Sequence, residues 1–210
     1  MIAKTSHGVT IDYRFDGPRD GPVILLIMGL AQQLTFWPDD FVAALNEAGY
    51  RTLRFDNRDI GHSQKFEGKR APNPMVQLAA RLAGIRGLAP YSLEDMAKDT
   101  VGLLDALAID KVDIVGVSMG GMIAQVVAAK HPQRVKRLAI IMSSTNNPRL
   151  PRARAEIARA LMARPSNITT KEQALERAMY LWNLIGTKNS GASEEELRAR
   201  LAASYERSHY

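Results

Sequence analysis

The sequence predicts an α/β fold: a mostly parallel sheet with helices on both faces, followed by a purely helical segment. Three observations predict it. Apolar strand-like runs alternate with amphipathic helical runs through the first two-thirds of the chain, and that rhythm builds parallel sheets. The run Val23–Met28 is apolar without alternation, as a strand covered on both faces must be. After Pro148 no further strand pattern occurs, and three helical stretches follow.

Each element has its local reason. Val9–Phe15 alternates in polarity and ends at Asp16-Gly17-Pro18, a turn signal. Val23–Met28 is the buried strand. Asp39–Ala48 carries helical apolar spacing at Phe41, Val42, Ala44 and Leu45 and stops at Gly49. Arg51–Phe55 reads as a short strand, and Met75–Leu88 as a helix between loops rich in Gly and Pro. Ser92 and Asp95 form a capping-box pattern, with Asp in place of Glu or Gln, opening an amphipathic helix through Leu107. Val112–Val117 is a buried strand, Met119–Lys130 a helix closed by Pro132, and Val135–Met142 a further apolar strand. The last helices are expected at Arg152–Ala163, Lys171–Ile185 and Glu194–Glu206, with Thr169/Glu172 and Ser193/Glu196 as capping boxes for the latter two.

Composition narrows the function classes. The 210 residues include no cysteine, which excludes disulfide scaffolds, thiolate metal sites and cysteine catalysis. No apolar leader opens the sequence, and the longest apolar run is far too short to span a bilayer; a cytoplasmic location is expected. Net charge is +6, and the excess is local: Lys130, Arg134, Lys136, Arg137, Arg149, Arg152, Arg154, Arg159 and Arg164 have only Glu156 nearby in sequence. Without a nucleic-acid-binding motif this reads as a solvated face, so no nucleic-acid partner is expected.

The chemistry centres on Gly116-Val-Ser118-Met-Gly120, a G-x-S-x-G between a buried strand and a helix. A serine on a tight strand-to-helix turn projects its hydroxyl into a cleft, and glycines two positions either side let the neighbouring backbones approach. The helix N-terminus below favours an oxyanion, with the Met119 N–H as one donor. A second N–H comes from the loop after an early strand; Gly29 and Leu30, in Leu26-Ile-Met-Gly-Leu-Ala31, occupy that place. Asp56, Arg58 and Ser63, within Asp56-Asn-Arg-Asp-Ile-Gly-His-Ser63, are expected to brace a polar loop beside the site through side-chain to backbone bonds. His62 reads as a surface histidine.

The segments LIMGLAQQ, FDNRDIGHS and GVSMGGMIAQ, in this order and spacing, resemble the α/β-hydrolase superfamily, and most closely its esterase and lipase-like branch that includes aclacinomycin methylesterase. Met28 stands where the family often has histidine. The resemblance implies an α/β-hydrolase core over 1–145, through the family's sixth strand, and a helical cap over 146–210. It implies a serine hydrolase of carboxylic esters working through an acyl-enzyme on Ser118, on a small-molecule ester, with no cofactor and no metal. Met179, Leu181, Trp182 and Leu184 are candidate lining of the cap. The fold also hosts iminopeptidases, haloperoxidases and thioesterases, which resemblance does not separate.

The family's triad continues from serine to an acid and then a histidine on later strands. Relative to the family, the last two core strands are missing, and the chain reads as truncated at its C-terminus. His131 lies at the far end of the helix from Ser118, and His209 is two residues from the last residue. Three readings stay open: an early end, a second polypeptide that completes the site, or a fragment that folds with itself. The alternative function is an impaired homologue acting as an oligomerising or binding module. With the last two strands missing, strand 135–142 becomes an apolar sheet edge, a pairing template, so a homo-oligomer through it, or a complementing C-terminal chain, is expected.

Overall fold

The computed structural model describes all residues except 67–88, 146, 148, 152–153, 164–167, 188–192 and 209–210. The expected helix Met75–Leu88, and residues Arg152, Arg164 and His209, lie outside the described residues. The chain divides into two compact units, Met1–Asn146 and Asn147–His209.

In the first unit six strands form one sheet: β1 (Ile2–Lys4), β2 (Thr10–Asp16), β3 (Val23–Ile27), β4 (Arg51–Phe55), β5 (Val112–Val117) and β6 (Val135–Ile141), in the order β1-β2-β4-β3-β5-β6. The pairs β1/β2 and β2/β4 are antiparallel; β4/β3, β3/β5 and β5/β6 are parallel. The helices are α1 (Asp39–Glu47), α2 (Leu93–Ala106) and α3 (Met119–Lys130), with 3₁₀ turns at Leu34–Phe36 and Pro132–Arg134. The parallel strands are joined through these helices, as crossover connections require.

The strand period of two sorts the core. Leu25, Ile27, Leu53, Phe55, Val112 and Ile114 are buried with Met96, Ala97, Val101 and Leu104 of α2 and Ile123, Ala124 and Val127 of α3. The intervening Ile24 and Leu26 are also buried, so β3 is covered on both faces. At the sheet edge β6 is different: Leu138 and Ile140 on one face and Ile141 on the other are 36%, 42% and 37% exposed.

Several expectations are corrected. Strand β1 has no counterpart in the sequence reading; three residues are too few to show a period. Strand β6 stops at Ile141, because Met142 takes φ 48° and leaves the sheet. The basic run from Lys130 is not short of acids: Lys130, Arg134 and Arg137 pair with Glu94, Asp105 and Asp113 at 2.6, 2.5 and 2.7 Å. Those acids are remote in sequence and close only once α2, α3, β5 and β6 are packed. The hydrogen bonds of Asp113, then that of Tyr50, hold the exposed Arg137 guanidinium above its usual pKa.

The second unit holds α4 (Ala155–Met162), α5 (Lys171–Ile185) and α6 (Glu194–Arg207). Capping boxes open α2 at Ser92/Asp95 and α6 at Ser193/Glu196. The box of α5 is Thr170/Gln173, not Thr169/Glu172. Thr169-Thr-Lys-Glu-Gln173 contains the pattern twice, one residue apart; the later frame leaves Glu172 to pair with Arg198. Leu175, Met179, Leu197 and Leu201 are buried, so Met179 is a packed side chain. Leu181, Trp182 and Leu184 are partly exposed. Among the described residues no helix is long and apolar enough to cross a membrane.

Candidate active site

β5 carries the chain to Ser118 and α3 carries it away. Between them Ser118 holds φ 53° and ψ −120°. For a serine this is a sparsely populated conformation, which costs about 1–3 kcal/mol and persists only where the surroundings impose it. The glycines show how tightly the turn is built. A β-carbon on Gly116 would lie 2.5 Å from the Gly120 carbonyl oxygen, and one on Gly120 would lie 2.1 Å from that of Ile27. No side chain fits at either place.

The turn is fixed to the neighbouring strand. The Ser118 N–H donates to the Ile141 carbonyl at 2.9 Å, and the Ser118 carbonyl accepts the N–H groups of Gly121 and Met122 at 3.0 and 3.2 Å. The Ser143 hydroxyl donates to that same carbonyl at 2.7 Å. The Ser118 side chain is left exposed, and among the described residues its hydroxyl makes no hydrogen bond.

The loop after β3 runs beside it. A β-carbon on Gly29 would stand 3.3 Å from the Ser118 β-carbon and 3.8 Å from its Oγ. Leu30 follows, with its side chain 57% exposed, and Ala31 takes φ 59°. Among the described residues the N–H groups of Leu30 and Met119 are committed to no hydrogen bond. The structure therefore brings Gly29, Ser118 and the glycines of the turn together, with two uncommitted N–H donors on the adjoining residues.

Asp56, Asn57, Arg58 and Ser63 of the supporting loop are buried and hydrogen-bonded. The Asp56 carboxylate accepts the N–H of Leu34 at 2.7 Å with one oxygen and that of His62 at 3.0 Å with the other. Ser63 donates to the Asp56 carbonyl at 2.6 Å and accepts the N–H of Asp12 at 2.9 Å. Asn57 reaches the Met28 carbonyl at 3.2 Å, one residue before Gly29. The loop that carries Leu30 is thus held from behind by Asp56 and Asn57.

Arg58 differs from expectation. It bonds one backbone carbonyl, that of Asp95, at 3.3 Å, but its main partner is the Asp99 carboxylate, gripped with two nitrogens at 2.5 and 2.7 Å. Its guanidinium lies 4.9 and 5.0 Å from the ring centres of Phe66 and Tyr91, and His7 contributes a second contact to Asp99 at 2.8 Å. Burial works against the Arg58 charge, but the hydrogen bond and attraction of Asp99, with Asp95, raise its pKa above the usual value. Burial, and then the hydrogen bond to Asp59, raise the Tyr91 phenol. Asp99 had a signal: an acid three residues after Met96 and four before Leu103, on one face of a helix with these apolar side chains, needs a buried partner. Ser143 had none in the sequence.

The histidines stand elsewhere. His62 lies in the supporting loop with its ring half-exposed, 3.8 Å from Asp12. His131 lies beyond the 12-residue helix α3 that starts after Ser118, which at 1.5 Å per residue puts it roughly 20 Å away.

Comparisons with known proteins bear on the fold. The family model described as alpha/beta hydrolase fold matches residues 22–166. The rhodomycin D methylesterase DauP of Streptomyces sp. (strain C5) is 27% identical over 202 residues, covering 87% of this chain and 61% of that protein. Its namesake DnrP of Streptomyces peucetius is 26% identical with the same coverage. Among solved structures, the enol-lactonase of Burkholderia xenovorans LB400 superposes with a TM-score of 0.67 at 27% identity, over 98% of this chain and 67% of that one. The chain thus spans about three-fifths of the length of the curated relatives it matches. Strand order, strained serine turn and family match converge: the chain belongs to the alpha/beta hydrolase fold family.

Proposed function

We propose that the chain carries the nucleophile and oxyanion donors of a serine hydrolase that acts on carboxylic esters. The single observation behind this reading is the exposed, unbonded Ser118 hydroxyl on its left-handed turn, beside Gly29 and the uncommitted N–H groups of Leu30 and Met119. In the proposed reaction Ser118 Oγ bonds to the ester carbonyl carbon, and its proton leaves to a base. Charge gathers on the carbonyl oxygen, where preorganised N–H donors stabilise it. The C–O bond to the alcohol then breaks, and water releases the acid from the acyl-enzyme. The names of the relatives, methylesterases and an enol-lactonase, support an ester or lactone as substrate class.

A serine needs a base to be a good nucleophile, and among the described residues no imidazole or carboxylate is bonded to Ser118. For the 210-residue chain by itself we expect slow turnover, with about 10³–10⁴-fold acceleration over water as the scale that oxyanion donors and binding reach without a base. The test is hydrolysis of p-nitrophenyl acetate and fluorophosphonate labelling, compared with Ser118→Ala. Labelling lost in the variant supports the proposal; equal rates in both proteins defeat it. A second reading, an oligomerising or binding module without turnover, draws on the base-less serine and the exposed β6 edge, and it predicts that second outcome.

A further inference from the structure

The Ser118 peptide is held by more than a helix start requires. The bonds from Gly121 and Met122 to the Ser118 carbonyl are those any helix N-terminus supplies. The bond from Ser143 comes from another segment, and three features place that hydroxyl there. β6 ends at Ile141 alongside the turn, its carbonyl accepting the Ser118 N–H. Met142 then takes φ 48°, a left-handed step that turns the chain back toward α3. Ser143 packs on Gly121 so closely that a β-carbon on Gly121 would meet the Ser143 β-carbon at 2.6 Å. Gln125, one turn further along α3, ties the same segment down: its amide donates to the Gly121 and Ser144 carbonyls, both at 3.1 Å.

The consequence lies in the peptide plane. The carbonyl oxygen of Ser118 and the N–H of Met119 belong to one planar trans peptide and point in opposite directions. A donor that fixes the oxygen therefore fixes the direction of the N–H. We propose that Ser143 is a positioning residue: by bonding the Ser118 carbonyl it aims the Met119 N–H at the developing oxyanion. The proposal rests on the reading of Ser118 as nucleophile. It accounts for the left-handed Met142, which is 78% exposed and so is not placed there by burial of its own side chain, because without that step Ser143 would continue along the sheet edge.

Oxyanion donors act in the transition state, so a misaimed N–H lowers the chemical rate and leaves ground-state binding unchanged. The experiment measures the inactivation rate constant and the binding constant for a fluorophosphonate, with melting temperature, in wild type, Ser143→Ala, Ser143→Thr and Ser143→Val. Ser118→Ala serves as the blank. The expected result is a loss of about tenfold or more in the rate constant for the Ala and Val variants, at unchanged binding constant, with the Thr variant near wild type. Thr and Val are nearly isosteric and differ in the donor, so their comparison stands even if the Ala variant folds poorly. Equal rates for Thr and Val, or a loss confined to the binding constant or the melting temperature, overturn the proposal. Wild-type protein that takes no label at Ser118 overturns the nucleophile reading itself, and this inference with it.

Discussion

Asp99 is 2% exposed and faces an Arg58 that is 7% exposed. Breaking such a pair from one side strands a charge away from water, which costs more than the pair contributes when whole. Asp99→Asn keeps the shape and removes the charge. It should destabilise the protein by about 3–5 kcal/mol, read as a shift in the urea midpoint at unchanged slope. A change under about 0.5 kcal/mol would mean that Phe66, Tyr91 and water carry the guanidinium without the carboxylate. At this scale the sequence was legible where the chemistry is local. Ser118, Gly116 and Gly120 lie within five residues of one another, and the strand before and helix after decide their geometry. Arg58 and Asp99 are 41 residues apart and Ser118 and Ser143 25; Asp99 announces the need for a partner but not which one, and the Ser118–Ser143 bond leaves no mark in the chain until the elements are packed.

Among the elements, β6 stands apart. Its apolar side chains are exposed on both faces, and one backbone edge is paired to β5 while the other has no partner strand among the described residues. Of its two cations, Arg137 is neutralised by Asp113, which leaves Lys136 as the charge that guards the edge. We expect the 210-residue chain to self-associate through β6, and Leu138→Lys, which puts a charge on the edge strand, to shift the population to monomer. Sedimentation velocity at high micromolar concentration is the check; a monomeric wild type sinks the expectation. Element existence followed from period and caps, and α3 and α5 have the bounds their patterns dictate. The exceptions have physical causes: β1 is shorter than one readable period, and the two overlapping threonine frames before α5 are equivalent until Glu172 finds Arg198.

For the whole molecule, the absence of cysteine and the exposure of Ser118 combine into a property neither has alone. Ser118→Cys would give a protein with a single thiol, placed on the strained turn at the head of α3. A thiol there needs no imidazole to become a nucleophile. The helix N-terminus and the uncommitted N–H groups of Leu30 and Met119 favour its anion, so its pKa should fall below the ~8.5 of a free cysteine. Alkylation by iodoacetamide across pH 5–10 would read that value directly, with one equivalent consumed per chain. A thiol that reacts only above pH 9, or that stays unmodified in folded protein, would contradict the exposure and the electrostatics described for this turn. The elbow that holds the serine is thus also a measuring device: charged with sulfur, it reports by titration how strongly its own backbone attracts a negative charge.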